Sequence, residues 1–194
     1  MANMTQAPMI VAVDIGTSKV VCMVAQINQA EQSLEIVGYG MKPSRGMRKG
    51  VVVNIDQMQE VIQGAVAEAE LMADCKIHSA YIGIAGSHIG GRNSQAVVAI
   101  RDGEVTQTDI ERVIDAAKSG ANPADQRILH VLPQEFIVDD QGDVRNPLGM
   151  AGVRREGHSH LVTCSSNAAQ NLVMCVRDAG LSIDDIVLDQ VASS

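Results

Sequence analysis

Six residues, Asp14-Ile-Gly-Thr-Ser-Lys19, join two apolar runs near the start of the chain. Their types suit phosphate chemistry. Gly16 lets the backbone turn tightly and leaves no side chain between the local amides and a bound anion. Thr17 and Ser18 offer hydroxyls and N–H groups to phosphate oxygens, and Lys19 can neutralise their charge. Asp14, at the end of a strand, can hold Mg²⁺ through water, because that ion favours one or two carboxylates alongside phosphate oxygens. The same residues are common in plain turns, so both an anion-binding tip and an ordinary hairpin fit the six residues taken alone. The Walker pattern G-x-x-x-x-G-K-[ST] is absent.

Other candidates carry less. His158 and His160 share a strand face and could bind a metal, but no third ligand is evident, and a solvent-facing strand accounts for them. Arg45, Arg48 and Lys49 flank glycines in a stretch that can meet an anionic partner or simply be solvated. Gly86-Ser87-His88 places a nucleophile beside a base only by adjacency and lacks G-x-S-x-G. Asp184-Asp185 reads as a helix–strand connection. Cys22, Cys75, Cys164 and Cys175 form no C-x-x-C pair, which argues against a zinc or redox pair and for buried thiols in a reducing cytosol.

The 194 residues suffice for one large domain or two small ones. Lys and Arg number 15 against 23 Asp and Glu, a net charge of −8. Such a surface repels phosphate backbones, which argues against sequence-independent nucleic-acid binding. Aromatics are 2%, too few for a base-stacking platform. No apolar window is long enough to span a bilayer, and residues 1–8 lack the features of a secretory signal.

Residues 9–13 are a continuous apolar run, 19–27 a second strand, and the short link between them makes a hairpin. Residues 34–41 read as a third strand broken by Gly38 and Gly40, and 43–50 as a basic loop. Asn54 and Gln57 form a capping box for a helix whose Met58, Val61, Ile62, Ala65, Val66 and Ala69 make one apolar stripe. Residues 80–85 are a fourth strand. The texture changes near Gly86. Residues 87–94 read as a loop or ragged strand, 95–100 as a short strand, and Thr108 with Glu111 as a second capping box for a helix ending at Lys118 to Gly120. A strand at 128–138 contains Pro133, which marks an edge or bulge. A turn-rich stretch at 139–152 leads to a strand at 153–164. Ser166 opens a third helix that Gly180 stops, before a last strand at 183–188. The piece from 166 onward is too small for its own core and is expected to dock on the first sheet, making the middle an insertion. Residues 191–194 carry no helix cap and no polar tail, and read as a cut.

Five stretches resemble the FtsA family of actin-like bacterial cell-division proteins: 13–19, Pro43-Ser-Arg-Gly-Met47 with Lys49-Gly50, Glu70-Leu-Met-Ala-Asp-Cys75, Leu129-His-Val-Leu-Pro-Gln-Glu-Phe136 and Asn146-Pro-Leu-Gly-Met-Ala-Gly-Val-Arg154. The first is shared with the wider actin, sugar-kinase and heat-shock-chaperone superfamily. The resemblance implies an α/β fold. An actin/ribonuclease-H-like mixed sheet (subdomain 1A) would occupy 9–85 and 166–194. An inserted strand-helix-strand-strand α+β subdomain (1C) would occupy 86–165, and 1–8 would be a disordered tail. It implies that Asp14, Gly16, Thr17, Ser18 and Lys19 form the first phosphate loop of an ATP cleft, with Mg²⁺ held through water by Asp14. It further implies a scaffold that self-associates and helps anchor FtsZ filaments to the inner face of the cytoplasmic membrane during septum assembly. Subdomain 1C would serve self-association and later division proteins such as FtsN, through residues left unassigned. ATPase activity would be weak at most in the full-length protein and absent from this chain, with no catalytic residue assigned. The second phosphate loop, the adenosine-contacting segment, the lobe meeting FtsZ and a C-terminal membrane-binding helix are not in the 194 residues. The alternatives are a PilM-type pilus-assembly protein and half of an actin-superfamily sugar kinase.

Overall fold

A computed structural model describes residues 8–100, 103–119, 125–139, 141–152 and 154–193. The chain divides into two compact units, Met1–His88 with Asn167–Ser194, and Ile89–Ser166. In chain order the first unit holds β1 (Met9–Ile15), β2 (Lys19–Asn28), β3 (Ser33–Pro43), β4 (Met47–Arg48), β5 (Val51–Val52), α1 (Ile55–Ala73) and β6 (Ser79–Ile84). The second holds β7 (Ile89–Ala99), α2 (Gln107–Ser119), β8 (Gln126–Val138), β9 (Gln141–Val144) and β10 (Arg154–Ser165). The chain then returns to the first with α3 (Ser166–Asp178), β11 (Ser182–Leu188) and α4 (Asp189–Ala192). Of the tail expected at 1–8, only Pro8 is among the described residues, and its carbonyl accepts from Ile27 N. The cap expected at Gly120 also lies outside them.

The main sheet of the first unit has the order β11-β6-β1-β2-β3. The strands β11, β6 and β1 run parallel, and β1, β2 and β3 alternate in direction. Val13, Ile15, Val20, Cys22 and Val24 are buried, as continuous apolar strands demand. Asn54 caps α1 by accepting from Gln57 N at 3.0 Å, and the six stripe residues of this helix are the buried ones. Gln59 of α1 donates to the carbonyl of Asp178, tying α1 to α3.

Two expectations need correction here. The strand β3 runs continuously from Ser33 to Pro43 with a bulge at Val37, beside Gly38, and Gly38 and Gly40 also have a packing role. A Cβ on Gly38 would lie 2.6 Å from the carbonyl oxygen of Ala69, and one on Gly40 would strike that of Ala65. The helix backbone therefore rests directly on the strand backbone. The basic loop at 43–50 contains the small hairpin β4–β5, turned by Lys49 and Gly50 with φ of 52° and 81°. Two consecutive positive φ values are the signature of the type I′ turn that matches strand twist.

The sheet of the second unit has the order β7-β10-β8-β9. Residues 87–94, read as a loop or ragged strand, hold a turn at 87–88 followed by the first half of β7, which pairs with β10 from Ile89↔Cys164 to Ala99↔Arg154. A long ladder overrides the local glycine signal. A Cβ on Gly91 would run into the ring of His160, so that glycine makes room for its cross-strand neighbour. Pro133 sits at a register shift between β8 and β10, as a proline in a strand requires. The turn-rich stretch includes β9, a short addition to the expected strand order.

The cap of α2 also differs from expectation. Thr106, not Thr108, accepts from Asp109 N at 3.3 Å, while Asp109 Oδ2 accepts from Thr106 N at 3.1 Å and from its hydroxyl at 2.7 Å. Asp109 reaches back more closely because its short side chain is buried and also pinned by Arg112 at 3.0 Å. Ala96, Val113, Ala117 and Phe136 form one core cluster between helix and sheet, and Ile100, Val105 and Val138 another.

Gly40→Ala is expected to lower stability by about 1–3 kcal/mol through overpacking of α1 on β3, measured by urea unfolding. Thr106→Ala is expected to cost about 1 kcal/mol through loss of the α2 cap, whereas Thr108→Ala changes the urea midpoint little.

Candidate functional site

The parallel strands β1, β6 and β11 bring their carboxyl ends to one edge of the first sheet. Open α/β sheets bind ligands outside such ends. Asp14 lies on β1 opposite Gly83 of β6, and Asp189 directly follows β11 as the first residue of α4. Gly83 is what allows the two to meet. A Cβ there would sit 2.8 Å from Asp189 Oδ1 and 3.6 Å from Asp14 Cβ.

The two carboxyls face each other across Gly83 closely enough for each to alter the other's proton affinity. Burial pushes both above the usual carboxylate range. The charge of Lys19 pulls Asp14 back down, while Asp14 pushes Asp189 further up. Between the two, a proton is favoured on Asp189. Asp14 Oδ1 is buried with no hydrogen-bond partner.

The turn after β1 is closed by Gly16 N donating to the carbonyl of Lys19 at 3.0 Å. Thr17, Ser18 and Lys19 are exposed. Among the described residues nothing accepts from the N–H groups of Thr17 and Ser18. The turn is braced from two sides. Ser44 N donates to the carbonyl of Ser18 at 3.0 Å, and Gly50 N donates to Thr17 Oγ1 at 3.1 Å. Asp14, Gly16, Thr17, Ser18 and Lys19 thus gather at one tip, with exposed donors, a cation and a carboxylate.

Mg²⁺ can be tested against these residues. A buried carboxylate oxygen without a partner, beside a second carboxyl, is a hard oxygen set of the kind this ion takes. Among the described residues no group of three His, Cys, Asp or Glu could hold a metal unaided. The ligand's own oxygens would have to complete the coordination. Asp189 and Gly83 escaped sequence reasoning. Asp189 stands at the end of a strand just as Asp14 does, and that shared position was a usable signal.

The remaining candidates lie elsewhere. His158 Nδ1 is 2.9 Å from Glu135 Oε1 and its Nε2 is 3.1 Å from Glu156 Oε1, while His160 Nδ1 is 2.7 Å from Asn93 Oδ1. These rings are engaged by protein oxygens on the shared face. The Ser87 hydroxyl donates to the carbonyl of Lys49, not to His88. Burial holds His88 below its usual value, and its Nδ1 has no partner. Arg45, Arg48 and Lys49 are exposed. Asp184 and Asp185 are inside β11 at a bulge, not in a connection: Asp184 is left out of the ladder between the Ile183 and Asp185 rungs, and the Asp185 carboxylate accepts from Ile186 N. All four cysteines are free. Cys22, Cys164 and Cys175 are buried and Cys75 is half-buried. Burial pushes their thiols up, Cys22 to about 12.

A family profile described as the SHS2 domain inserted in FTSA matches residues 86–163. Cell division protein FtsA of Pseudomonas aeruginosa is 56% identical over 194 residues, all of this chain and 46% of that protein. FtsA of Escherichia coli K12 is 40% identical over the same 194 residues, again 46% of the relative. The chain thus spans about half the length of the curated relatives it matches. A structure of the PilM-PilN type IV pilus biogenesis complex superposes with a TM-score of 0.66 at 13% identity, covering 94% of this chain and 48% of that one. That likeness concerns the fold alone, which is actin-like with a mixed sheet. Identity of 40–56% sustained along the whole chain, together with the FtsA-type insertion, shows that the chain belongs to the family of cell division protein FtsA.

Proposed function

We propose that this chain contributes the first phosphate-binding turn of an ATP cleft in a scaffold of the bacterial division septum. The observation that carries the reading is the convergence of the exposed 16–19 turn with the Asp14–Asp189 pair at the carboxyl ends of three parallel strands. In this reading the N–H groups of Thr17 and Ser18 and the ammonium of Lys19 bind the phosphate tail. Asp14, with Asp189 beside it, holds Mg²⁺, which when bound offsets the phosphate charge. Residues 9–85 and 166–194 act as subdomain 1A, and 86–165 as subdomain 1C.

The wider role follows from the family. The full-length protein would self-associate, help anchor FtsZ filaments at the inner face of the cytoplasmic membrane, and use 1C for self-association and for late division proteins such as FtsN. Among the described residues no helix is long and apolar enough to cross a membrane. The pilus-assembly alternative rests on fold likeness at 13% identity, and the sugar-kinase alternative has no observation in its favour.

In the full-length protein, Asp14→Asn and Lys19→Ala are each expected to weaken MgATP binding about 10-fold or more, the scale of one lost charge-assisted contact. Calorimetry checks this, and unchanged affinity in both variants would refute the assignment. The 194-residue chain by itself is expected to bind MgATP weakly and to hydrolyse none. Phosphate on a single wall stays in high dielectric, where each charge contact is weak. Sub-micromolar affinity would contradict that.

The carboxyl pair sets a pH dependence. Both groups are raised above the ordinary 3.8, so above that value the folded state binds more protons than the unfolded one. Stability therefore falls as pH climbs through the raised range. Asp189→Asn keeps a donor to Asp14 and removes one titrating group. It is expected to flatten the decline of the urea midpoint between pH 4 and pH 7 in the nucleotide-free protein.

A further inference from the structure

One peptide group, the C=O of Lys49 and the N–H of Gly50, is held at both ends. Its N–H donates to Thr17 Oγ1 at 3.1 Å. Its C=O accepts from Ser87 N at 3.4 Å and from Ser87 Oγ at 3.3 Å. The first partner belongs to the 16–19 turn, and the second lies two residues before β7. The peptide is also the central one of the type I′ turn between β4 and β5.

Its surroundings restrict it. A Cβ on Gly50 would lie 2.5 Å from both the carbonyl oxygen of Ala85 and Gly86 Cα, so this turn is packed backbone on backbone against 85–86. Flipping the peptide would convert the turn to type II′, which favours glycine at its first central position. That position is Lys49, whose Cβ opposes the flip. The peptide is thus a stiff strap. Thr17 Oγ1 accepts one hydrogen bond, which leaves its own proton available to an acceptor such as a phosphate oxygen.

We propose that the Lys49–Gly50 peptide is a positioning group that couples occupancy of the 16–19 turn to the segment at 85–88 leading into β7. This rests on the nucleotide reading of the turn and adds its regulation. When the Thr17 hydroxyl donates to an anionic oxygen, its oxygen becomes a better acceptor and its rotamer is fixed. Both effects tighten Gly50 N–H onto Thr17 and, through the same peptide plane, polarise Lys49 C=O toward Ser87. The Ser87 bond at 3.4 Å is longer than an ordinary N–H···O bond and has room to shorten.

The test is hydrogen exchange of the full-length protein with and without saturating MgATP, read over 85–91, in the wild type, Thr17→Val and Thr17→Ser. Calorimetry on each variant establishes saturation. MgATP is expected to slow exchange at Ser87 by at least about twofold in the wild type and in Thr17→Ser. Thr17→Val, which keeps the shape of the side chain but offers no oxygen, loses that response while still binding nucleotide through the turn backbone and Lys19. A saturated wild type with unchanged exchange at Ser87, or a Thr17→Val protein that responds like the wild type, overturns the coupling alone. Absence of MgATP binding to the wild type overturns the nucleotide reading and the coupling with it.

Discussion

Everything about the candidate site depends on three parallel strands ending together. A parallel strand places the same chemical end of each backbone at one edge of the sheet. Whatever residue follows each strand is thereby delivered to a common place, however far apart it lies in the chain. Asp14 and Asp189 are separated by most of the sequence, yet β1, β6 and β11 bring them face to face across Gly83. Burying two carboxyls together is unfavourable unless a proton or a cation lies between them. The first unit therefore keeps at this edge a demand for positive charge that its own side chains meet only in part.

The rest of the first unit makes that edge rigid. Close contact of α1 with the glycines of β3 fixes the helix on the sheet. The Asn54 cap and the α1–α3 link through Gln59 fix how the helix begins and where α3 lies beside it. The second unit is built on other terms. Among the described residues its sheet is antiparallel and packs α2 on a modest apolar core, and its other face carries engaged histidines and glutamates.

Much of this was legible from sequence because it is written in local chemistry. The apolar runs at 9–13 and 19–27, the Asn54 cap and the stripe from Met58 to Ala69 depend on neighbours a few residues away. The failures share one cause. Gly38, Gly40 and Gly91 look like breaks until the helix and the histidine that need their missing Cβ atoms are in place. Thr108 and Glu111 satisfied the capping pattern as well as Thr106 and Asp109 did, and only the burial of Asp109 decides between them. The site was half legible. The turn announced itself through its residue types, whereas Asp189 and Gly50 joined it through contacts spanning 175 and 33 positions, the latter seen in the Gly50–Thr17 bond.

The bulge in β11 has a consequence for how copies of this protein avoid one another. Among the described residues this strand is an outer edge of its sheet, with β6 on one side and no strand on the other. Asp184 and Asp185 interrupt its rhythm there and add two negative charges. An incoming strand would face a broken template and electrostatic repulsion together, which is how natural sheets discourage aggregation at their margins.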